Sequence, residues 1–365
     1  MKRVVVAMSG GVDSSVAAAL LKEEGFEVIG ITMCFNLPDA VSKRPGCCGI
    51  QGVEDARRVA HRLGIKHYVL NMQAGLNDYV IKDFIQEYLK GRTPNPCIRC
   101  NDYLKFDALL KKAFSLGAQF LATGHYARVV KSKNKYQLKK AADLTKDQSY
   151  FLYRLGQEEL AHALFPLGGY TKNEVRGLAR RFGLAVAEKK DSQEICFLPD
   201  RDYRGFLKEK NSAKIKPGMI TDTKGRVLGR HQGIAFYTIG QREGLGIALG
   251  YPVYVVKISA KDNRIVVGTK EEAHSREFFL KDAYWRQHPA LEERPVCRFL
   301  RQKTIAARAK IRYNHKEEPC RIKLSGRRYK VSFKSPQFAV TPGQAAVFYS
   351  ADTVLGGGLI DKVLC

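Results

Sequence analysis

The chain is short of acidic residues and has no long apolar run. Its 365 residues include 62 Lys and Arg against 36 Asp and Glu, which gives a formal net charge of +26. No stretch of about 18 consecutive apolar residues occurs, so the sequence predicts no transmembrane helix. Because Met1, Lys2 and Arg3 lead directly into the first predicted strand, we expect no signal peptide and a cytoplasmic location. This length allows two or three domains, each with its own core.

The excess of cations is clustered, which indicates a polyanionic partner. Between Arg298 and Lys334 there are 13 Lys and Arg, and the only acidic residues there are Glu317 and Glu318. A second basic run, Lys131–Lys140, contains five lysines on a predicted hairpin. Phosphate contacts are made mainly by Lys and Arg, so the clustering favours nucleic-acid binding over charge that serves solubility alone.

A glycine-rich loop follows the N-terminal strand and lacks the Gly-Lys-Ser/Thr ending of a Walker A loop. Val4–Ala7 predict a buried strand, Ser9–Ser15 the loop, and Val16–Leu21 a helix. Glycines let backbone N–H groups approach an anion, and a helix N-terminus adds partial positive charge. The string SGGVDSS is similar to the PP-loop of ATP pyrophosphatases, which implies ATP cleavage between the α and β phosphates. A Gly-Ser turn without a ligand is the structural alternative.

Strands and helices alternate over the first two hundred residues. Val28–Met33, Tyr68–Leu70 and Phe120–Thr123 are predicted as further strands, with amphipathic helices between them. Such alternation predicts a doubly wound parallel sheet covered on both faces. The resemblance of the loop to a PP-loop implies that this sheet is of the adenine nucleotide alpha-hydrolase-like type. Its ligands would lie beyond the carboxyl ends of the strands, near Ser9, Met33 and Gly124.

Beyond about Tyr203 the helical period disappears and glycines separate short segments. From Glu277 onward, alternating apolar and polar residues predict antiparallel strands of a small β-barrel. The sequence therefore predicts a multidomain chain of α/β and β type. We place a PP-loop catalytic domain at 1–206, a small central domain at 207–274 and a C-terminal antiparallel β-barrel at 275–365.

Nine cysteines are present, and their spacing suggests reactive or metal-binding thiols rather than structural disulfides. Cys100 closes the string Cys97-Ile98-Arg99-Cys100, and prolines stiffen the segment before it. We expect Cys100 just before a helix N-terminus, a position that favours the thiolate. Cys196 is a distant second thiol, for which a role in sulfur transfer and a buried, inert role are both open. For the adjacent Cys47 and Cys48, a zinc site and a loop pair without chemistry are both open.

Seven motifs, in order, carry a resemblance that runs over nearly the whole chain. They are AMSGGVDSS, GRTPNPCIRCNDYLKF, ATGHYARV, KDQSYFL, DSQEICF, YTIGQREGLGI and TPGQAAVFY. Together they resemble the bacterial tRNA-specific 2-thiouridylase (MnmA) family. The resemblance implies an ATP-dependent tRNA-uridine 2-sulfurtransferase, which adenylates O2 of the wobble uridine and replaces it with sulfur. It implies a tRNA substrate and a persulfide sulfur-donor protein as partners, and no membrane.

The same resemblance assigns roles to residues. Cys196 would carry a persulfide and Cys100 would be the nucleophile, while Asp13 is a candidate Mg²⁺ contact or a loop-capping carboxylate. The implied ATP-binding residues are Ala7, Met8, Ser9, Gly10, Gly11, Val12, Asp13, Ser14, Met33 and Gly124. The implied contacts to tRNA or the target base are Asn95, Pro96, Cys97, His125, Lys146, Asp147, Gln148, Arg312, Tyr313 and Gln344. For His125 and Arg312, a structural histidine and a solvated charge are the alternatives.

Cys97 departs from the family pattern, which usually has Asp at this position. Related tRNA thiolases hold a [4Fe–4S] cluster on a CxxC pair and a distant cysteine. Cys97, Cys100 and Cys196 could hold such a cluster here, which would replace the persulfide and disulfide chemistry. Both routes stay open at the level of sequence.

Two other functions compete with tRNA thiolation. A PP-loop ligase, such as an argininosuccinate synthetase, needs neither paired reactive cysteines nor a basic barrel. A non-catalytic RNA-binding or iron–sulfur carrier protein does not need the intact SGGVDSS loop. Pyrophosphate release that depends on tRNA would exclude the non-catalytic alternative.

Overall fold

The computed structural model describes residues 1–35, 50–190, 195–198, 202–286 and 304–364. Contacts divide the chain into two compact units. The first contains Met1–Ile81, Pro96–Asp202 and Asp352–Val354, and the second contains Lys82–Asn95, Tyr203–Ala351 and Leu355–Cys365. Three parts of the predictions lie outside the described residues: the Cys47–Cys48 pair, positions 191–194 of the DSQEICF motif, and 298–303 of the basic run.

The described strands, in chain order, are β1 (Arg3–Ala7), β2 (Glu27–Cys34), β3 (Lys66–Asn71), β4 (Phe120–Thr123), β5 (Ala127–Ser132), β6 (Lys135–Lys140), β7 (Ala163–Leu164), β8 (Gly218–Asp222), β9 (Val227–His231), β10 (Tyr254–Ser259), β11 (Arg264–Gly268), β12 (His274–Trp285), β13 (Thr304–Lys310), β14 (Glu318–Ser325), β15 (Arg328–Phe338), β16 (Ala345–Ser350) and β17 (Thr353–Leu364).

The described α-helices are α1 (Val12–Glu23), α2 (Ile50–Leu63), α3 (Gln73–Gly75), α4 (Lys82–Leu89), α5 (Pro96–Arg99), α6 (Leu110–Ser115), α7 (Gln157–His162), α8 (Lys172–Arg181) and α9 (Tyr203–Asn211). Two segments are π-helical, Leu76–Ile81 and Cys100–Leu109, and three are short 3₁₀ turns, Ser149–Leu152, Ser212–Lys214 and Ile234–Phe236. No helix among the described residues has the length and apolarity needed to span a bilayer.

The first unit is built on a parallel sheet, as the alternation of strands and helices predicts. Among the described residues its order is β3-β2-β1-β4-β7. Val4, Val5 and Val6 of β1 are fully buried, as expected of a strand with both faces covered. Ala7, the last residue of β1, lies opposite Ile31 of β2 and Thr123 of β4. The strand order reverses at β1, and ligands of open α/β sheets bind at the carboxyl side of such a switch point.

The second unit is mainly β-structure. Strands β8 to β11 form a small sheet in the order β10-β11-β8-β9. Six further described strands form an antiparallel barrel in the order β12-β15-β14-β13-β16-β17, closed by pairing of β12 with β17. Phe278, Ile322, Val331 and Phe348 fill its core. The barrel prediction is confirmed, but the expected loss of helix beyond Tyr203 is wrong at α9, whose Phe206 and Leu207 are buried.

A stretch of chain between two parts of the first unit belongs to the second unit, and a buried carboxylate holds it there. Glu87 of α4 pairs with Arg92 at 2.7 Å and with Lys281 at 3.5 Å. The Arg92 guanidinium also pairs with Asp361 at 3.0 Å and donates to the carbonyl of Ile360 at 2.9 Å. Burial raises the pKa of Glu87, but the charges of Arg92, Lys281 and Lys90 together lower it by more. The net pKa of Glu87 is therefore below the ordinary value.

Glu87→Gln is expected to destabilise the protein at neutral pH by about 3 kcal/mol. The variant removes the carboxylate of a buried ion pair and leaves the charges of Arg92 and Lys281 without it. The pKa of Glu87 is lower in the folded state than the value of about 4.3 expected when unfolded. Its contribution is therefore complete above that pH and is lost as the pH falls through the folded pKa. Urea unfolding should show the difference between wild type and variant at pH 7 and a smaller one in acid. A difference that grows in acid would contradict this account.

Candidate active site

The PP-loop leaves the carboxyl end of β1 and enters α1, and its own hydroxyl groups shape it. The Ser9 amide donates to Ser14 Oγ at 3.1 Å. The Gly11 carbonyl accepts from Ser14 Oγ at 3.2 Å and from Ser15 Oγ at 2.8 Å. Met8 is buried, and its carbonyl accepts from Thr32 Oγ1 of β2 at 2.8 Å. The loop is therefore held at the switch point before any ligand binds.

Two glycines of the site are required by close approach, and a third is open. Gly10 has φ +69°, and a Cβ there would lie 2.1 Å from the carbonyl oxygen of Gly52 in α2. A Cβ on Gly124, just after β4, would lie 2.7 Å from the Ser14 amide nitrogen. At Gly11 the nearest atom to an added Cβ is Ser9 Oγ, at 3.4 Å. The space beside Gly11 is therefore the part of the loop that an anion can reach.

Two lysines contact the loop, and sequence reasoning identified neither. Lys172 Nζ lies 2.8 and 2.9 Å from the two carboxylate oxygens of Asp13. Lys189 Nζ donates to the Gly10 carbonyl at 2.9 Å and pairs with Asp55 at 2.6 Å. Burial raises the pKa of Asp55, but hydrogen bonds from Lys189 and Arg58 outweigh it, so the net pKa is lowered. The capping box at Thr171–Glu174 placed Lys172 at a helix start, but no local signal pointed to Lys189.

Asp13 does not have the surroundings expected of a metal ligand. Its Oδ1 accepts from Lys172 and from the Tyr126 hydroxyl at 2.8 Å, and its Oδ2 accepts from Lys172. A cation at this carboxylate would have to displace the ammonium group of Lys172. The described contacts therefore do not fit Mg²⁺ on Asp13, and they replace the expected loop cap by an ion pair between α1 and α8.

The KDQSYFL motif contacts the PP-loop indirectly, through Tyr126. The Gln148 side-chain carbonyl accepts from the Tyr126 amide at 3.0 Å, and Tyr126 in turn donates to Asp13. Asp147 is buried, and its carboxylate accepts from the Ala141 amide and from the amide and hydroxyl of Ser149. The described contacts of Asp147 and Gln148 are thus internal to the first unit. Lys146, which precedes them, is half-buried.

His125 is half-buried and uncharged at neutral pH. One ring nitrogen, Nδ1, lies 2.7 Å from Thr123 Oγ1, and the ring packs beside Phe106 and Phe165 at centroid distances of 6.3 and 6.0 Å. Burial, and to a smaller extent Lys105, lowers the pKa of His125 well below its ordinary value. Its position just after β4 puts a neutral imidazole at the ligand edge of the sheet.

The two predicted sulfur-transfer cysteines are both half-buried, whereas Cys97 is exposed. The expectation that Cys100 precedes a helix is wrong. The helix begins at Pro96, whose fixed φ suits the first helical position, and Cys100 lies one turn inside it. Cys97 is therefore the thiol in the first turn. In the described part of the chain, no three or more His, Cys, Asp or Glu side chains are grouped in a way that could hold a metal ion.

In the second unit, Gln344 holds the segment that leads to Asn95. Its amide nitrogen donates to the carbonyls of Thr93 at 2.9 Å and of Pro94 at 3.3 Å. The Thr93 amide donates to the Pro342 carbonyl at 2.9 Å. Arg312, which precedes Tyr313, donates to the Phe338 carbonyl at 2.7 Å. Gln344 and Arg312 therefore make structural contacts at the positions where the resemblance implies RNA contacts.

Comparison with known proteins settles the family. The model of the tRNA methyl transferase HUP domain matches residues 2–200, that of its PRC-barrel domain 204–269, and that of the aminomethyltransferase β-barrel domain 275–360. The chain is 53% identical to the tRNA-specific 2-thiouridylase MnmA of Carboxydothermus hydrogenoformans, over all of this chain and 98% of that protein. The chain belongs to the tRNA-specific 2-thiouridylase family. The MnmA of Geobacter metallireducens is 51% identical, again over 100% of this chain and 98% of the relative.

The domain models and the full-length relatives carry different descriptions. The domain models carry a methyl transferase description, but identity of about half over the whole chain to proteins named 2-thiouridylases outweighs a domain label. A solved 4-thiouridine synthetase bound to RNA and ATP overlaps 58% of this chain and 51% of its own, with 18% identity. The TM-score of this overlap is 0.35.

Gly11→Val is expected to reduce ATP-dependent pyrophosphate release at least a hundredfold without unfolding the 2-thiouridylase. The branched side chain would occupy the space beside the loop amides, where phosphate oxygens must approach. Gly10→Ala is the contrasting variant, because its Cβ would meet the backbone of Gly52 and should lower stability. Pyrophosphate assays and thermal melts of both variants test this. Full activity in Gly11→Val would mean that ATP binds elsewhere.

Proposed function

We propose that this protein is a cytoplasmic, ATP-dependent tRNA sulfurtransferase that converts the wobble uridine to 2-thiouridine through a cysteine persulfide. The observation that carries the proposal is the open face of the PP-loop at Gly11, at the switch point of the sheet. The two half-buried thiols, Cys100 and Cys196, supply a route for sulfur. A persulfide sulfur-donor protein loads Cys196, and Mg²⁺ accompanies the ATP phosphates.

The first step activates the uridine. O2 of the base attacks the α-phosphorus of ATP, the bond to the β-phosphate oxygen breaks, and pyrophosphate leaves while N3 of the base loses its proton. The amides of the PP-loop and the N-terminus of α1 stabilise the departing charge. Lys172 and Lys189 keep two ammonium groups next to the loop, each balanced by a carboxylate until the polyphosphate arrives.

The second step replaces oxygen with sulfur. The Cys100 thiolate attacks Sγ of the Cys196 persulfide, and the terminal sulfur leaves as hydrosulfide. Hydrosulfide attacks C2 of the adenylated base, and AMP departs with the former O2. A disulfide between Cys100 and Cys196 remains, and an external dithiol reduces it before the next turnover. A soft, low-pKa sulfur carrier suits this exchange.

Cys100→Ser and Cys196→Ser are each expected to abolish 2-thiouridine formation while tRNA affinity changes less than about twofold, because the thiols act on sulfur rather than on the RNA backbone. Cys97→Ser is the matched control, since it removes an exposed thiol from the same helix and should keep most activity. Nucleoside analysis and tRNA binding, done on anaerobically purified protein with iron and sulfide assays, decide the matter. If the anaerobically purified protein is brown and all three variants lose both colour and activity, the sulfur is carried by a [4Fe–4S] cluster and not by a persulfide.

The barrel provides a cationic surface for the proposed tRNA substrate. Arg321 and Lys323 of β14 alternate with the buried Cys320 and Ile322, so both cations point outward. Arg308 of β13 is exposed as well. We propose that these three side chains contact tRNA phosphates, together with Arg312 and Tyr313.

Changing Arg308, Arg321 and Lys323 to Gln is expected to weaken tRNA binding at low salt and to reduce the slope of log K against log salt by about 2. Counterion release contributes roughly 0.7 to 0.9 to the slope for each phosphate contact. The matched control changes Lys131, Lys133 and Lys135 to Gln on the β5–β6 hairpin, where the side chains are also exposed. Binding titrations at several salt concentrations compare the two. If the hairpin variant flattens the slope and the barrel variant does not, the tRNA surface lies on the hairpin.

A further inference from the structure

A pair of tyrosines near the catalytic cysteine has a geometry that packing alone does not require. The rings of Tyr79 and Tyr103 are stacked, with centroids 4.8 Å apart and planes within 9° of parallel. Tyr79 is 51% exposed, and the guanidinium carbon of Arg99 lies 5.9 Å from the centre of the Tyr103 ring. One side of the stack is therefore supported by the protein, while the Tyr79 ring stays half open to solvent.

Both tyrosines lie on irregular helical segments of the first unit. Tyr79 is in the π-helical segment Leu76–Ile81, which follows the carboxyl end of β3, and Tyr103 is in the π-helical segment Cys100–Leu109. Such segments are frequent at functional sites because the wider turn re-aims side chains. Tyr103 comes three residues after Cys100 in the same π-helical segment. The stack is thus less than one turn from the proposed nucleophile.

The proposed reaction creates a need for such a surface. A base that undergoes chemistry must leave the stack of its neighbours, so an adjacent base loses a stacking partner. Proteins that bind unpaired RNA compensate by stacking bases on exposed aromatic rings and Arg planes. A cation stands beside the stack, because the Arg99 guanidinium lies over the Tyr103 ring.

We propose that Tyr79, backed by Tyr103 and Arg99, is a stacking site for the unpaired anticodon base next to the target uridine. This inference rests on the proposed function, because it takes tRNA as the substrate. Tyr79 touches the neighbouring base and not the reacting atoms, so it contributes to tRNA affinity rather than to the chemical step.

Steady-state thiolation separates these contributions. Tyr79→Ala is expected to raise KM for tRNA about tenfold, the loss typical of one stacked base. Its kcat at saturating tRNA should stay within twofold of wild type. Tyr79→Phe and Tyr79→Trp should restore KM, because each keeps an aromatic face, and this rescue would not occur if the hydroxyl were needed. Tyr251→Ala, which removes another exposed tyrosine in the second unit, is the matched control and should leave KM unchanged.

A binding measurement tests the site without turnover. The probe is an anticodon stem-loop RNA with 2-aminopurine on either side of the target uridine. Wild type should quench one of the two probes on binding, Tyr79→Ala should not, and Tyr79→Trp should quench it again. Unchanged quenching and KM in Tyr79→Ala would overturn the stacking site. A wild-type protein that binds and quenches the probe but forms no 2-thiouridine would instead overturn the proposed function and leave the stacking site standing.

Discussion

The close packing of the PP-loop against two neighbouring backbones constrains the rest of the first unit. Gly10 faces the backbone of Gly52 in α2, and Gly124 faces the start of α1, with no room for a Cβ at either contact. The end of β4, the start of α2 and the start of α1 must therefore all meet at the carboxyl end of β1. The parallel register of the sheet, with Ala7 between Ile31 and Thr123, makes this meeting possible. The side-chain network of Gln148, Tyr126, Asp13 and Lys172 then fixes the loop on its remaining side.

Electrostatic balance around the loop explains how a highly basic chain keeps its anion site ordered. Lys172 is paired with Asp13 and Lys189 with Asp55, so each cation beside the loop is balanced by a carboxylate. An arriving polyphosphate then competes with carboxylates that already occupy the cations, so part of its electrostatic attraction is offset by breaking those pairs. The neutral His125 nearby adds a polar group without adding charge.

The sequence alone was sufficient for features that depend on local pattern and insufficient for those that depend on distant contacts. The PP-loop, the parallel strands and the barrel follow from glycine placement and from periods of 3.6 and 2, and the structure has them. The start of the helix at Pro96 was not predicted, because the two prolines were interpreted only as stiffening the segment before Cys100, although Pro at a first helical position is common. Lys189 and Gln344 act through backbone carbonyls of Gly10 and Thr93, more than 170 and 250 positions away, which no window of sequence could indicate. Cys97 is the opposite case. Its departure from the Asp of the family pattern is visible in the sequence, whereas its exposure is visible only in the structure.

The position of the segment Lys82–Asn95 in the chain affects how the protein folds during synthesis and how its parts can be exchanged between relatives. It lies within the catalytic portion of the gene, yet its partners Lys281, Gln344, Ile360 and Asp361 are encoded near the other end. A ribosome must therefore finish nearly the whole chain before these contacts can form, so Glu87 and Arg92 have each other early but gain Lys281 and Asp361 only at the end. For the same reason, a barrel exchanged with that of a relative keeps these contacts only where the relative has matching residues at both ends of the chain. The two units are compact, but neither is encoded by one continuous stretch of the gene.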